Sequence, residues 1–133
     1  MPWFDILQFC HVYMRVQADM PIRYSQMRAL NILCTTPGPH TPMMLADLMH
    51  VSRPMIASHL NTLQDAGLVV RVASPDDGRS VYIVPTKQGR SLVEQTNRDL
   101  EKFNQKLSEN MGTEKFNQFL MMIDEANNIL SGQ

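Results

Sequence analysis

Residues 3–16 hold ten apolar side chains out of fourteen: Trp3, Phe4, Ile6, Leu7, Phe9, Cys10, Val12, Tyr13, Met14 and Val16. Wound at about 100° per residue, they cover almost the whole circumference of a helix. A surface helix needs only one apolar stripe. A terminal helix of a short chain has few residues of its own to surround it, so burial against a second subunit is the economical reading. Met20-Pro21 breaks this helix. A second helix is predicted from about Ser25 to Thr35, with Met27, Leu30 and Leu33 inward. The stretch Thr36-Pro37-Gly38-Pro39-His40 reads as a loop.

The centre of the chain is punctuated more sharply. Thr41-Pro42 is a helix start, with Thr as N-cap and Pro at the first helical position. This short third helix carries Leu45, Leu48 and Met49. Val51 links it to a fourth helix, which Ser52 caps, with Pro54 in the tolerated first turn and Gly67 as the C-terminal stop. Leu68–Val72 is a β-branched strand, Ser74-Pro75-Asp76-Asp77-Gly78-Arg79 a turn, and Val81–Val84 the returning strand. Thr86 caps a long fifth helix, where Val93, Thr96, Leu100, Phe103 and Leu107 step by three and four, as a packing seam does. Gly112-Thr113 ends it and opens a sixth helix with Phe116, Phe119, Leu120, Ile123 and Leu130 on one side. No internal repeat or low-complexity stretch is visible.

The predicted fold is mainly α with a small β-hairpin wing. A winged helix-turn-helix lobe spans 25–90, and helical dimerisation regions span 1–20 and 91–133, within one domain over 1–133. In such a lobe the second helix of the pair enters the major groove of DNA, and the hairpin reaches the neighbouring backbone or minor groove. On the fourth helix Ile56, Leu60 and Leu63 point to the core. Pro54, Met55, Ser58, Asn61 and Thr62 then form the opposite face, with Arg53 and His59 on its flanks. That face carries no acid, and its small polar groups donate and accept hydrogen bonds at base edges or phosphates. The one acid of the helix, Asp65, comes late. The helix starts at Thr41 and Ser52 present backbone N–H groups suited to phosphate, although ordinary capping explains both residues equally well. Arg79 at the wing tip, with Asp77 placed to orient it, suits a narrow minor groove. A winged helix that works only through protein contacts is the competing reading.

Charge supports the lobe without deciding the matter. The chain is formally −1 overall. Residues 52–90 carry five basic and three acidic side chains, whereas 91–133 carry four basic and seven acidic. A local positive face suffices for phosphate contacts. Composition excludes other classes. No P-loop, carboxylate pair or nucleophile–base pair appears, and Cys10 and His11 diverge by about 100° on a helix, so no enzyme is expected. His11, Cys34, His40 and His50 lack ligand spacing, and neither a metal nor another cofactor is expected; a metal-responsive regulator stays open as an alternative. Two cysteines do not make a disulfide framework. The eleven methionines read as adaptable core and pocket lining, with an oxidation sensor as the rival. The opening Met-Pro-Trp-Phe-Asp lacks a signal peptide's basic segment, and no apolar run reaches membrane-spanning length. A cytoplasmic location with no membrane partner is expected.

Over residues 24–92 the sequence resembles the MarR family of bacterial transcriptional regulators. The resemblance rests on Leu45-Ala46-Asp47-Leu48, Val51-Ser52, the Ile56/Leu60/Leu63 helix, Ala66-Gly67-Leu68-Val69, Asp77-Gly78-Arg79 and Thr86-Lys87-Gln88-Gly89-Arg90. Pro85 stands where the family pattern has Leu. The resemblance implies a homodimer built from the first, fifth and sixth helices, and a repressor on a pseudo-palindromic operator. It places Thr41, Ser52, Arg53, Pro54, Met55, Ser58, Asn61, Thr62, Asp77 and Arg79 at double-stranded DNA, with Arg79 in the minor groove and held by Asp77. It implies release by a small aromatic or phenolic ligand, for which His11, Tyr13, Arg15, Tyr24 and Arg28 are the candidates; core or surface roles explain each of them as readily. Some relatives sense oxidants through a cysteine of the first helix, which makes Cys10 a redox candidate beside the default of a structural thiol.

Overall fold

The computed structural model describes residues 2–14, 21–76 and 78–132. Its elements run α1 (Pro2–Met14), α2 (Tyr24–Thr35), α3 (Pro42–Met49), α4 (Arg53–Asp65), β1 (Val69–Ala73), β2 (Val81–Pro85), α5 (Lys87–Met111) and α6 (Thr113–Leu130). The chain forms two compact units, Met1–Asn97 and Arg98–Gln133. The predicted helix break at Met20 and the site candidates Arg15 and Asp77 lie outside the described residues.

The core of the first unit joins Met27, Leu30 and Leu33 of α2 to Leu45, Ala46 and Met49 of α3, Ile56, Leu60 and Leu63 of α4, Val69 and Ile83 of the hairpin, and Val93 of α5. The inward positions expected on α2 and α4 are the buried ones. On α3, Leu48 is instead 52% exposed. Leu45, Ala46 and Met49 span one arc of that helix, and Leu48 falls about 100° from its middle.

Sequence chemistry sets the element ends. The Thr41 side chain accepts from the Met44 N–H at 3.2 Å, and the Ser52 side chain accepts from the Met55 N–H at 3.2 Å. At the end of α4 the Leu68 N–H reaches the Leu63 carbonyl, and the Gly67 N–H reaches the Gln64 carbonyl. This paired closure needs a left-handed residue, and Gly67 has φ +75.

β1 and β2 pair antiparallel, from Val69 opposite Pro85 to Ala73 opposite Val81. The Ile83 N–H also donates to the His40 carbonyl at 2.9 Å, so the loop before α3 edges the hairpin as a third rung. His40 itself is buried. Its Nε2 lies 2.8 Å from the Thr36 hydroxyl, which donates to the Ile32 carbonyl and therefore accepts from the ring. Pro85 closes β2 without an N–H of its own, and the next rung comes from the Thr86 N–H to the Leu68 carbonyl.

That junction locks α5 to the lobe. The Thr86 hydroxyl donates to the Gly67 carbonyl at 2.7 Å and accepts from the Gly89 N–H at 3.1 Å. Gly89 passes so close that a Cβ would stand 2.2 Å from the Leu68 oxygen. Val93 and Thr96 of α5 are buried, and Leu100, Phe103 and Leu107 continue the stripe half-buried. In the second unit Phe116 is buried, and Phe119 and Ile123 are half-buried. Leu120 and Leu130 share their stripe but are exposed, Leu130 at 87% because it sits in the last turn of α6. Among the described residues, no helix is long and apolar enough to cross a membrane.

Candidate nucleic-acid interface

Helices α3 and α4 are joined by three residues, His50, Val51 and Ser52. His50 adopts a left-handed conformation (φ 55, ψ 44), and the Val51 N–H returns to the Ala46 carbonyl at 3.1 Å. This tight reversal aims α4 away from α3 while both stay on the core. With Ile56, Leu60 and Leu63 buried, α4 exposes Arg53, Pro54, Met55, Ser58, Asn61 and Thr62 together. The predicted contact face is thus one continuous surface. His59 on the flank is half-buried, and its Nδ1 is enclosed without a hydrogen-bond partner.

The two helix starts hold fewer free donors than their sequences suggested. Each cap consumes the third N–H, and Pro42 and Pro54 have none to give. The Met43 and Arg53 N–H groups are what the first turns of α3 and α4 leave for an outside acceptor. Thr41 is half-buried and Ser52 exposed, each with its side-chain oxygen turned to its own helix.

At the far end of the hairpin the Ser74 N–H donates to the Ser80 carbonyl at 2.9 Å and closes the tip. Pro75, Asp76, Gly78 and Arg79 are exposed there.

In the sequence Arg71 is one basic side chain among the five of residues 52–90. It extends from the exposed side of β1 to the last turns of α4. One guanidinium nitrogen donates to Asn61 Oδ1 at 2.9 Å and the other to Gln64 Oε1. Two amides three apart on a helix share a face. A cation two residues into the strand that follows is the signal that marks such a pair.

The candidate ligand residues are spread more widely. His11 is exposed on α1, and Tyr13 is half-buried with its ring centroid 5.5 Å from that of Phe9. Tyr24 is exposed at the start of α2. Arg28 reaches the Met49 carbonyl at 3.4 Å, linking α2 to the end of α3. Cys10 is exposed, whereas Cys34 is half-buried. Burial pushes the Cys34 thiol up from its ordinary value, opposed by the Arg90 charge and reinforced by Glu94. Among the described residues, no three His, Cys, Asp or Glu side chains are grouped to hold a metal ion.

Comparison with known proteins agrees with this geometry. Residues 19–80 match the model of the MarR family. The HTH-type transcriptional regulator FarR of Neisseria gonorrhoeae is 34% identical over 71 residues, which cover 53% of this chain and 49% of FarR. The chain therefore matches about half the length of that curated relative. Among solved structures, Streptococcus pneumoniae FabT in complex with DNA superposes with a TM-score of 0.82 at 20% identity, over 98% of this chain and 95% of FabT. NadR in complex with 4-hydroxyphenylacetate superposes with a TM-score of 0.69 at 24% identity, over 92% of this chain and 89% of NadR. At these identities the two structures establish a shared fold.

Proposed function

We propose that the chain, whose residues 19–80 match the MarR family model, is a regulator of that family that grips a two-fold symmetric DNA site as a homodimer. The observation that carries this reading is the exposed face of α4. Arg53, Ser58, Asn61 and Thr62 turn basic and small polar groups to solvent, with Pro54 and Met55 among them, on a helix whose other side is locked in the core. In this reading α4 lies in the major groove, with Ser58, Asn61, Thr62 and Met55 at base edges. Arg53 and the first turns of α3 and α4 meet phosphates. Arg79 enters the minor groove, with Asp77 as its orienting partner.

The dimer is built from α1 and the helices after the wing. Trp3, Phe4, Ile6 and Leu7 of α1 are all more than half exposed, and so are Met121, Met122, Ile129 and Leu130 of α6. Isolated apolar side chains on a surface are ordinary, but runs of them mark an association surface. A cytoplasmic repressor released by a small aromatic acid is the regulatory form we favour. It is supported by the fold shared with NadR, which binds 4-hydroxyphenylacetate, and by the two tyrosines and the arginine of the first two helices.

Selection of bound sequences from a random DNA pool tests the core of this reading. A two-fold symmetric site should emerge, with affinity falling steeply as salt rises. Arg79→Ala should weaken binding to that site about tenfold or more while the melting temperature holds. Recovery of no preferred sequence, or affinity indifferent to salt, would overturn the proposal.

A further inference from the structure

The contacts of Arg71 fix more than the position of one side chain. A guanidinium has five N–H donors and no acceptor. The amide atoms facing it on Asn61 and Gln64 are therefore the oxygens, as the hydrogen bonds record. Each amide then turns its NH2 group away from Arg71. Two of the five guanidinium donors are spent on these bonds, which leaves three. All three side chains are exposed, and Ser58, Asn61 and Gln64 step by three along one row of α4, at the edge of its exposed face. Asp65, the acid next along α4, is also exposed, yet Arg71 bonds the two amides. The result is a cluster of donors whose acceptors have been turned inward.

We propose that Arg71, Asn61 and Gln64 form a donor-only contact at the edge of α4 that engages paired hydrogen-bond acceptors on DNA. The proposal rests on the DNA-binding reading above and adds its polarity. Guanine presents N7 and O6 side by side in the major groove, and consecutive phosphate oxygens offer the same acceptor chemistry. Adenine is disfavoured. Its bidentate reading by Asn uses one amide donor and the amide oxygen together, and the Asn61 oxygen already holds Arg71. The pre-set fork loses little rotamer freedom on binding, because both amides hold it in place before DNA arrives.

The test uses the full chain and the symmetric site obtained by selection, with affinities measured by fluorescence anisotropy across a salt series. Arg71→Ala should bind that site about 10- to 100-fold more weakly than wild type, without loss of the dimer or of cooperative melting. Replacing each guanine in turn by 7-deazaguanine identifies the acceptor. If it is guanine, one replacement per half-site weakens wild type but leaves Arg71→Ala unmoved, and Arg71→Lys does not restore affinity. If it is phosphate, the loss is uniform across sequences, the salt slope falls by about one per half-site, and Arg71→Lys restores most of the affinity. Wild-type affinity in Arg71→Ala, on a site that wild type binds, overturns this proposal and leaves the DNA reading standing. So does a loss that changes neither the salt slope nor any 7-deazaguanine effect, since that is the mark of a scaffold role alone. Failure of wild type to select any site overturns both.

Discussion

At position 89 an added methyl group would meet a backbone oxygen at 2.2 Å, with Leu30 Cδ1 at 3.2 Å on another side. Neither the Leu68 carbonyl nor the start of α5 can retreat without giving up the Thr86 bonds. Gly89→Ala should cost about 1–3 kcal/mol, read as a lower denaturation midpoint at fixed protein concentration. His50 presents a different constraint, since its left-handed backbone penalises a Cβ only through conformation. His50→Gly should leave stability within about 1 kcal/mol of wild type, and His50→Val should lose about 1–2 kcal/mol. Cys34 offers a pH readout. Its thiol stays protonated in the folded chain at pH values where the unfolded chain ionises, so its contribution to stability is present below the ordinary thiol range and is lost as pH rises above it. Alkylation of Cys34 in the folded protein should correspondingly be slower than in the unfolded chain.

Helix starts and stops were the most legible elements, because each is set by local chemistry. Thr41-Pro42, Ser52, Thr86 and Gly112 stand within a residue of the observed ends, and Gly67 two residues past the end of α4. Ser52→Ala should therefore destabilise the lobe by about 1 kcal/mol, measured by thermal or chemical melting. Thr86→Val should cost more, as it abandons the Gly67 carbonyl and the Gly89 N–H together. What stayed illegible depends on residues far apart in sequence. Arg71 is marked only when it is set beside Asn61 and Gln64, ten and seven positions away, as two amides on one helix face. Nothing in Leu48 reveals that Ala46, a smaller residue, takes its place inside. The service of His40 as a rung for Ile83 is equally non-local. The exposed face of α4, by contrast, was readable as a pattern, since its two sides follow helical period alone.

For the molecule as a whole, association and recognition are expected to depend on each other. The proposed dimer would cover the apolar face of α1 and bring together the two lobes that a symmetric site needs. Leu7→Glu should shift the protein toward monomer by light scattering and lower its affinity for a two-fold site far more than for a half-site. A folded wild-type monomer at micromolar concentration would count against the dimer. The division of α4 also bears on how such a protein changes over generations. Ile56, Leu60 and Leu63 are buried in the core, while Met55, Ser58 and Thr62 are exposed and lie outside it. If α4 reads DNA as proposed, substitutions at the second set should alter which DNA is read at little cost in stability. A duplicated copy of this gene could therefore drift to a new operator through folded intermediates at every step, with its scaffold unchanged and its target rewritten.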